Sequence, residues 1–465
     1  MIKSKLIGTK EFYKRVIAIV LPMIIQNTVT NVVSLVDNVM VGRLGTLPMS
    51  AVAIVNQLIF VFNLCIFGGL AGAGIFSTQY AGIDDHKGMR HCFRAKTVIG
   101  ISLFIPCLIV FLSFPEPLIK MYLNEGTTKA DAQATLSYGL SYLRIMLIGL
   151  LPFTLTQIYS SSLREIDETR LPMTASVIAI FLNLIFNYLL IFGKFGFPKL
   201  GIVGAAIATV LARFVEAAIV IAVATKRREK YKFLKSALRS LYLPLDLCKK
   251  IFIKGFPLLI NEFLWAAGMA VLLQCYSVRG LEVVAALNIA NTVNNLFSVV
   301  FITMGSAVAI IVGQHLGANE IEKAKASVWQ LIALAVACCV VIGSVMAAFA
   351  NVIPKLYNTQ PQVREMATSF LYVIAFFMPI YAFAHNCYFT LRSGGRTIIT
   401  FLFDSACTWG ICVPCALILA RFTSLPILPL YCIVQSLELI KCIVGYIMIK
   451  KGLWIRNIID DKNNA

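Results

Sequence analysis

The sequence predicts an all-α integral membrane protein with twelve transmembrane helices, in two pseudo-symmetric six-helix bundles around a central cleft. Three observations predict it. Of 465 residues, 59% are hydrophobic and only 14% charged, an unusual balance for a soluble domain. Apolar runs such as 98–114, 202–211 and 370–383 recur along the whole length, and a span needs about 20 mainly apolar residues. Finally, residues 22–82 reappear without a gap 235 positions later: Pro22 falls on Pro257, Gly45 on Gly280, Asn56 on Asn291, Phe62 on Phe297, Gln79 on Gln314 and Gly82 on Gly317. Membrane proteins built from related halves usually move something between them.

The elements follow in order. A first span at 16–38 carries Pro22 near its start, and a second at 50–80 ends in the turn Gln79-Tyr-Ala-Gly82. Asp84-Asp85-His86-Lys87 leads into the third, 97–119. The fourth and fifth, 136–160 and 172–192, are joined by Leu163-Arg-Glu-Ile-Asp-Glu-Thr169, and the sixth is 201–224. The second half repeats the scheme. Span seven, 252–276, opens with Gly255-Phe-Pro257; span eight, 284–314, runs into Gln314-His-Leu-Gly317 and then Asn319-Glu-Ile-Glu-Lys323. Span nine is 327–350, spans ten and eleven (366–390 and 398–420) are joined by Leu391-Arg-Ser-Gly-Gly-Arg-Thr397, and span twelve is 427–449. Six spans per half is an even number, so both halves enter from one side as parallel repeats about an axis along the membrane normal. The expected organisation is an N-terminal bundle over 1–225, a basic cytoplasmic linker over 226–250 and a C-terminal bundle over 251–465.

The net charge of +19 would suit nucleic acid, but its distribution does not. Most of the basic residues fall in segments that lie on one side if both termini are cytoplasmic, ten of them between residues 226 and 254. That is the positive-inside bias of a multi-pass plasma (inner) membrane protein, and anionic lipid is partner enough for it. No nucleic-acid partner is expected. The basic, polar start over 1–10 lacks a signal peptide's apolar core and cleavage site. Six of the thirteen cysteines (65, 107, 338, 339, 407 and 432) sit in apolar runs, where thiols behave as small hydrophobes. Cys412-Val-Pro-Cys415 has redox spacing but lies inside a span, so it reads as packing. No cofactor motif, nucleophile cluster, His/Asp metal set or P-loop appears, so neither an enzyme nor an ATP-driven pump is expected.

Ionisable groups inside the bilayer cost several kcal/mol and are functional candidates by default. Asp37 lies deep in the first span, and the repeat places Leu272 opposite it. A carboxylate in low-dielectric surroundings lets a proton compete with a cation, which is what an antiporter needs. The alternative is a helix-end acid held by Asn38 and Arg43. Asn183 and Asn187 share one face of the fifth span at i, i+4, and with Thr209 of the sixth they offer oxygens around Asp37, or else simply bond helix to helix. Glu262 faces Asn27 across the repeat and would attract cations, or else lies at the surface near the cytoplasmic end of its span. Asp404 opens the eleventh span, as a second acidic site or as a partner of Arg396. Arg213 with Glu216, and Glu438 with Lys441, are i, i+3 pairs of structural type. Phe60, Phe62, Phe67 and Phe76, with Phe376, Phe377, Tyr381 and Phe383, would suit flat aromatic cations, although most phenylalanines here face lipid or pack. Gln26, Asn27, Tyr381 and Asn386 complete the expected substrate-binding set with Glu262.

Val36-Asp-Asn-Val-Met-Val-Gly-Arg-Leu-Gly45, Gln79-Tyr-Ala-Gly82, Leu163-Arg-Glu-Ile-Asp-Glu-Thr-Arg-Leu-Pro172, Gly204-Ala-Ala-Ile-Ala-Thr209, Gly255-Phe-Pro257 with Glu262, and Leu391-Arg-Ser-Gly-Gly-Arg-Thr397 occur in an order that resembles the MATE family of multidrug and toxic compound extrusion transporters. The resemblance covers essentially the whole chain. It implies export of small organic cations in exchange for H+ or Na+, by alternating access between two bundles, with Asp37 as the coupling acid, Asn183 and Thr209 as its companions and Glu262 as a cation-binding acid. Two features depart from relatives: Asn187 stands where many carry a second acid, and 379–386 has no acid where one branch has one. One carboxylate among neutral oxygens suits a proton, while Na+ at Asp37, Asn183 and Thr209 remains the alternative ion. Competing expectations are a lipid or lipid-linked saccharide flippase of the same superfamily and a non-transport membrane receptor. The chain is expected to act as a monomer among membrane lipids, with coupling in the N-terminal bundle and the C-terminal one as its moving partner.

Overall fold

Inside a bilayer every backbone N–H and C=O must find a partner within its own segment, and helices are the simplest way to do so. The computed structural model describes residues 6–123, 128–357 and 359–460, and among them there is no strand. The principal helices are α1 (Lys10–Gly42), α2 (Thr46–Gly82), α3 (His86–Ser113), α4 (Lys129–Ile148), α5 (Leu150–Arg164), α6 (Arg170–Phe192), α7 (Ile202–Lys226), α8 (Leu245–Ser277), α9 (Leu281–Phe297), α10 (Val299–Gly317), α11 (Ile321–Phe349), α12 (Pro361–Ser393), α13 (Thr397–Phe422) and α14 (Ile427–Lys450). Among the described residues eleven are long and apolar enough to cross a membrane, and α4 with α5, bent by 44° at Gly149, makes a twelfth. The twelve expected spans are therefore present. The first and last five residues of the chain, and with them both expected cytoplasmic ends, lie outside the described residues.

The helices outrun the expected spans because hydropathy marks only the part that needs lipid. The 37 residues of α2 measure roughly 55 Å at 1.5 Å per residue, against a hydrocarbon core of about 30 Å. Expected span eight is divided at Ser298 into α9 and α10. Expected span eleven, α13, contains two π-helical turns, Leu402–Ala406 and Thr408–Cys412. Hydrophobic periodicity carries no signal for either break.

The helices form two compact units that interleave along the chain. One comprises Met1–Ile24, Thr78–Asp85 and Ile253–Ala465; the other comprises Ile25–Ser77 and His86–Phe252. The expected N-terminal bundle thus loses residues up to 24 and 78–85 to the unit of the second half. The reason is packing: Val16, Ile19, Val20 and Met23 share one apolar cluster with Met304, Val308, Ile311 and Val328, and the Arg15 guanidinium donates to Gln314 Oε1.

In that same unit the repeat becomes a physical contact. A Cβ on Gly82 would stand 2.0 Å from the carbonyl oxygen of Gln314, and one on Gly317 would stand 1.9 Å from that of Gln79. Each glycine turn is laid against the repeat counterpart of its own glutamine. Gln79 then bonds further, its Nε2 donating to the carbonyls of Ser393 (3.2 Å) and Arg456 (3.1 Å) and its Oε1 accepting from Ile458 N–H (2.8 Å).

The other unit contains an ion pair buried outright. Lys96, with its side chain fully covered, meets Glu165 at 2.6 Å and the hydroxyls of Ser161 and Ser162 at 3.2 Å each. The expected linker is an ordered strap over α3. Arg94 donates to the carbonyls of Ala237 (2.8 Å), Tyr242 (3.2 Å) and Ser236 (3.3 Å), and Phe233 packs on Phe93 with centroids 6.0 Å apart. Glu168, in the turn before α6, accepts from Lys230 Nζ (2.6 Å) and Tyr231 Oη (3.0 Å). Partial burial works against its charge, but these donors together hold the Glu168 carboxyl below its ordinary value.

Gly82→Ala or Gly317→Ala should lower the thermal midpoint of the purified protein by several degrees, since neither backbone carbonyl can retreat from the added methyl. The double variant should lose less than the sum, because the two contacts share one interface. Gly410→Ala, with open space around its Cα, is the control and should change nothing. A depressed carboxyl pKa stabilises above the unfolded-state value and stops doing so as pH falls through the folded one. Proteolysis within the 230–242 strap should therefore accelerate below about pH 4.5, the ordinary glutamate range. With the Lys230 side chain 61% exposed, Lys230→Ala should cost only about 0.2–1 kcal/mol at neutral pH.

Candidate functional site

The site is assembled by close helix approach. Gly193, in the left-handed conformation (φ +66°), ends α6, and Gly201 (φ +57°) precedes α7. The α7 motif then presents Gly204, Ala205, Ala206 and Ala208, all buried. A Cβ at Gly204 would be 2.6 Å from the Leu190 carbonyl, so only glycine lets α7 lie this near α6. That proximity brings Thr209 to Asn183, their side chains 3.3 Å apart. The expected i, i+4 relation holds: Asn183 and Asn187 are buried on one face and point at α1.

There they meet Asp37. Asn187 Nδ2 donates to Asp37 Oδ1 at 2.8 Å. The amide of Asn183 comes within 2.9 Å of Asp37 Oδ2 and donates to it when turned nitrogen-first. Turned oxygen-first, Asn183 Oδ1 accepts from Asn187 Nδ2 at 3.2 Å and faces the carboxylate as a second acceptor. Two acceptors at that separation need a proton or a cation between them. Asn187 Oδ1 is buried with no hydrogen-bond partner. The carboxylate is thus held by neutral amides from α6, in place of the helix-end partners Asn38 and Arg43. Tyr142 of α4, buried, donates to Asn56 at 3.5 Å and lies beside Thr209. Neither Tyr142 nor Asn56 is among the expected site residues, although Asn56 carries a signal in its identity with Asn291 across the repeat. One turn beyond Thr209, Arg213 donates to Gly149 O (3.3 Å) and covers the Phe153 ring.

The other expected site residues do not join this cluster. Gln26 accepts from Arg164 Nη2 at 3.0 Å, eleven residues and about 16 Å down α1 from Asp37. Asn27 follows it on the same helix. Glu262, Tyr381 and Asn386 belong to the other unit. Tyr381 donates to Gln435 at 2.8 Å, and Asn386 Nδ2 bonds back to the Ala382 carbonyl of its own helix. Asp404 pairs with Lys441 at 3.2 Å and not with Arg396, whose Nε goes to Leu453 O. Its amide donor is Asn261, the residue before Glu262. Phe62 and Phe76 are 1% and 2% exposed, which makes them core rather than cation-facing. All thirteen cysteines are free thiols. Among the described residues no group of three or more His, Cys, Asp or Glu is placed to hold a metal.

A family model, MatE, matches residues 22–189 and 257–418, the two halves in register with the repeat. The chain belongs to the MatE family. It is a multi-pass membrane transporter and not an enzyme. Among MATE relatives, a probable multidrug resistance protein NorM of Thermotoga maritima is 26% identical over 420 residues, covering 90% of this chain and 88% of its own. A probable multidrug resistance protein YoeA of Bacillus subtilis is 25% identical, with 88% and 87% covered. The fold matches an outward-facing multidrug resistance MATE transporter of the MOP superfamily at TM-score 0.85 and 19% identity, over 97% of both chains. It also matches a MOP superfamily transporter from Pyrococcus furiosus at TM-score 0.84, with 19% identity.

In a fluorescent-cation efflux assay, Asn187→Ala should cost more than Thr209→Val. The first removes a direct donor to a half-buried carboxylate, a loss of about 1.5 kcal/mol or on the order of tenfold in rate. Thr209 reaches Asp37 only through Asn183, so its loss should stay within about threefold.

Proposed function

We propose that the chain exports small organic cations from the cell across the plasma membrane, in exchange for protons taken up at Asp37, by alternating access. Multidrug resistance is what the relatives' names describe, and the MatE match over both halves supports reading it here as export by this chain. The observation that supports the coupling role is the Asp37–Asn183–Asn187 cluster. It provides one acid, two amides at 2.8 Å and 2.9 Å, and no basic partner among the described residues.

The chemistry follows from the amides. An ionised Asp37 takes N–H from both asparagines; a protonated Asp37 becomes a donor, and the Asn183 amide then offers its oxygen. Either protonation state is therefore satisfied by turning one side chain. A group that both holds and yields its proton without leaving a buried orphan is what a proton-coupled step requires. Sodium would need the same oxygens at once, with Thr209 Oγ1 as a further hard ligand. The basic strap over 226–250 sits in the cytoplasm in this reading, following the positive-inside bias.

Expression in an efflux-deficient bacterium tests it. Asp37→Asn should keep the protein folded and membrane-inserted yet abolish ethidium export. A proton uncoupler should stop export by the parent, while collapse of the sodium gradient alone should not. Export that survives Asp37→Asn would remove the coupling role, and export that follows the sodium gradient would replace the proton by Na+.

A further inference from the structure

A second, partly buried polar cluster lies wholly within the unit that contains 253–460. Its centre is Lys441 on α14, whose side chain is 9% exposed. The ammonium is surrounded by three oxygens: Glu438 Oε1 at 3.0 Å, Asp404 Oδ1 at 3.2 Å and Thr408 Oγ1 at 3.5 Å. Three acceptors use its three N–H groups. The second Asp404 oxygen accepts from Asn261 Nδ2 at 3.1 Å, an amide that also reaches Tyr388 Oη at 3.3 Å and accepts from Ser405 at 2.5 Å.

Two features separate this arrangement from an ordinary structural ion pair. Asp404 and Thr408 both lie on the π-helical turns of α13, Leu402–Ala406 and Thr408–Cys412. Such turns are rare and concentrate at functional positions. The oxygen set itself, two carboxylates and a hydroxyl converging on one positive charge, is the donor chemistry of a hard monovalent cation. Here the cation is tethered to the chain. Without it two partly buried carboxylates would lose the ammonium that pairs with both, at a cost that a membrane interior makes high.

We propose that Lys441 is the resident cation of an oxygen-lined acidic site, and that its ammonium closes the site to sodium and to the charged groups of cationic substrates. Lys441 is then the residue that denies this unit an ion-coupling role. Removing it unmasks a monovalent-cation site formed by Asp404, Glu438 and Thr408. The proposal does not rest on the role assigned to Asp37, which lies in the other unit.

The test keeps the two apart by using full-length Asp37→Asn protein as the background. Thermal midpoints are compared in sodium chloride and in N-methylglucamine chloride at equal ionic strength. The background protein should melt at the same temperature in both. Lys441→Met should melt lower in N-methylglucamine and recover by roughly 3 °C or more in sodium, the linkage expected of a ligand that binds only the folded state. Adding Asp404→Asn should erase that recovery, and Lys441→Arg, which keeps the charge, should not show it. If Lys441→Met does not fold, Glu438→Gln with Lys441→Met removes one charge of each sign and should respond to sodium in the same way. Lysine-free variants that fold yet ignore sodium would overturn the proposal. So would a sodium response already present in the background protein and abolished by Asp404→Asn.

Discussion

The contact on which the rest of the structure depends is the reciprocal one between Gln79–Gly82 and Gln314–Gly317. Each glycine lies so near the other segment's carbonyl that no side chain fits, 2.0 Å and 1.9 Å from an imagined Cβ. Because the glutamine and the glycine of the turn recur at an offset of 235, the contact is its own mirror under the repeat. Much converges on it: Gln79 ties in Ser393, Arg456 and Ile458, Asn457 donates to the Gly317 carbonyl, and Arg15 reaches Gln314. The interior of a membrane protein has no water to satisfy stray backbone groups, so polar side chains at helix ends must do it. The glutamines are placed where chain segments that are distant in sequence need that service.

This explains what the sequence could and could not convey. The twelve spans were legible because hydropathy and length are local properties. The turns Gln79-Tyr-Ala-Gly82 and Gln314-His-Leu-Gly317 were legible as a repeat, but not as a contact between its copies. Nothing local says that residues up to 24 and 78–85 pack with the second half. The same limit applies to Asp404, where either Arg396 or Lys441 was an available counter-charge and only the fold places Lys441 at 3.2 Å. It applies again to Gln26, which shares α1 with Asp37 but is engaged by Arg164 well away from it. Asn183, Asn187 and Thr209 were recoverable because helical spacing fixes the first two on one face and the Gly204-Ala-Ala-Ile-Ala motif forces the third against them.

The scaffold is duplicated and the charges are not. Asp37 stands opposite Leu272 in the repeat, and Glu262 opposite Asn27. The structure extends that asymmetry from identity to solvation. Asp37 is met by amides, which can donate to an ionised acid and accept from a protonated one. Asp404 is met by an ammonium, which can only donate. An acid with amide partners can change its charge at little cost to its surroundings. The proposed coupling role accordingly falls to Asp37, whose amide partners suit either charge state.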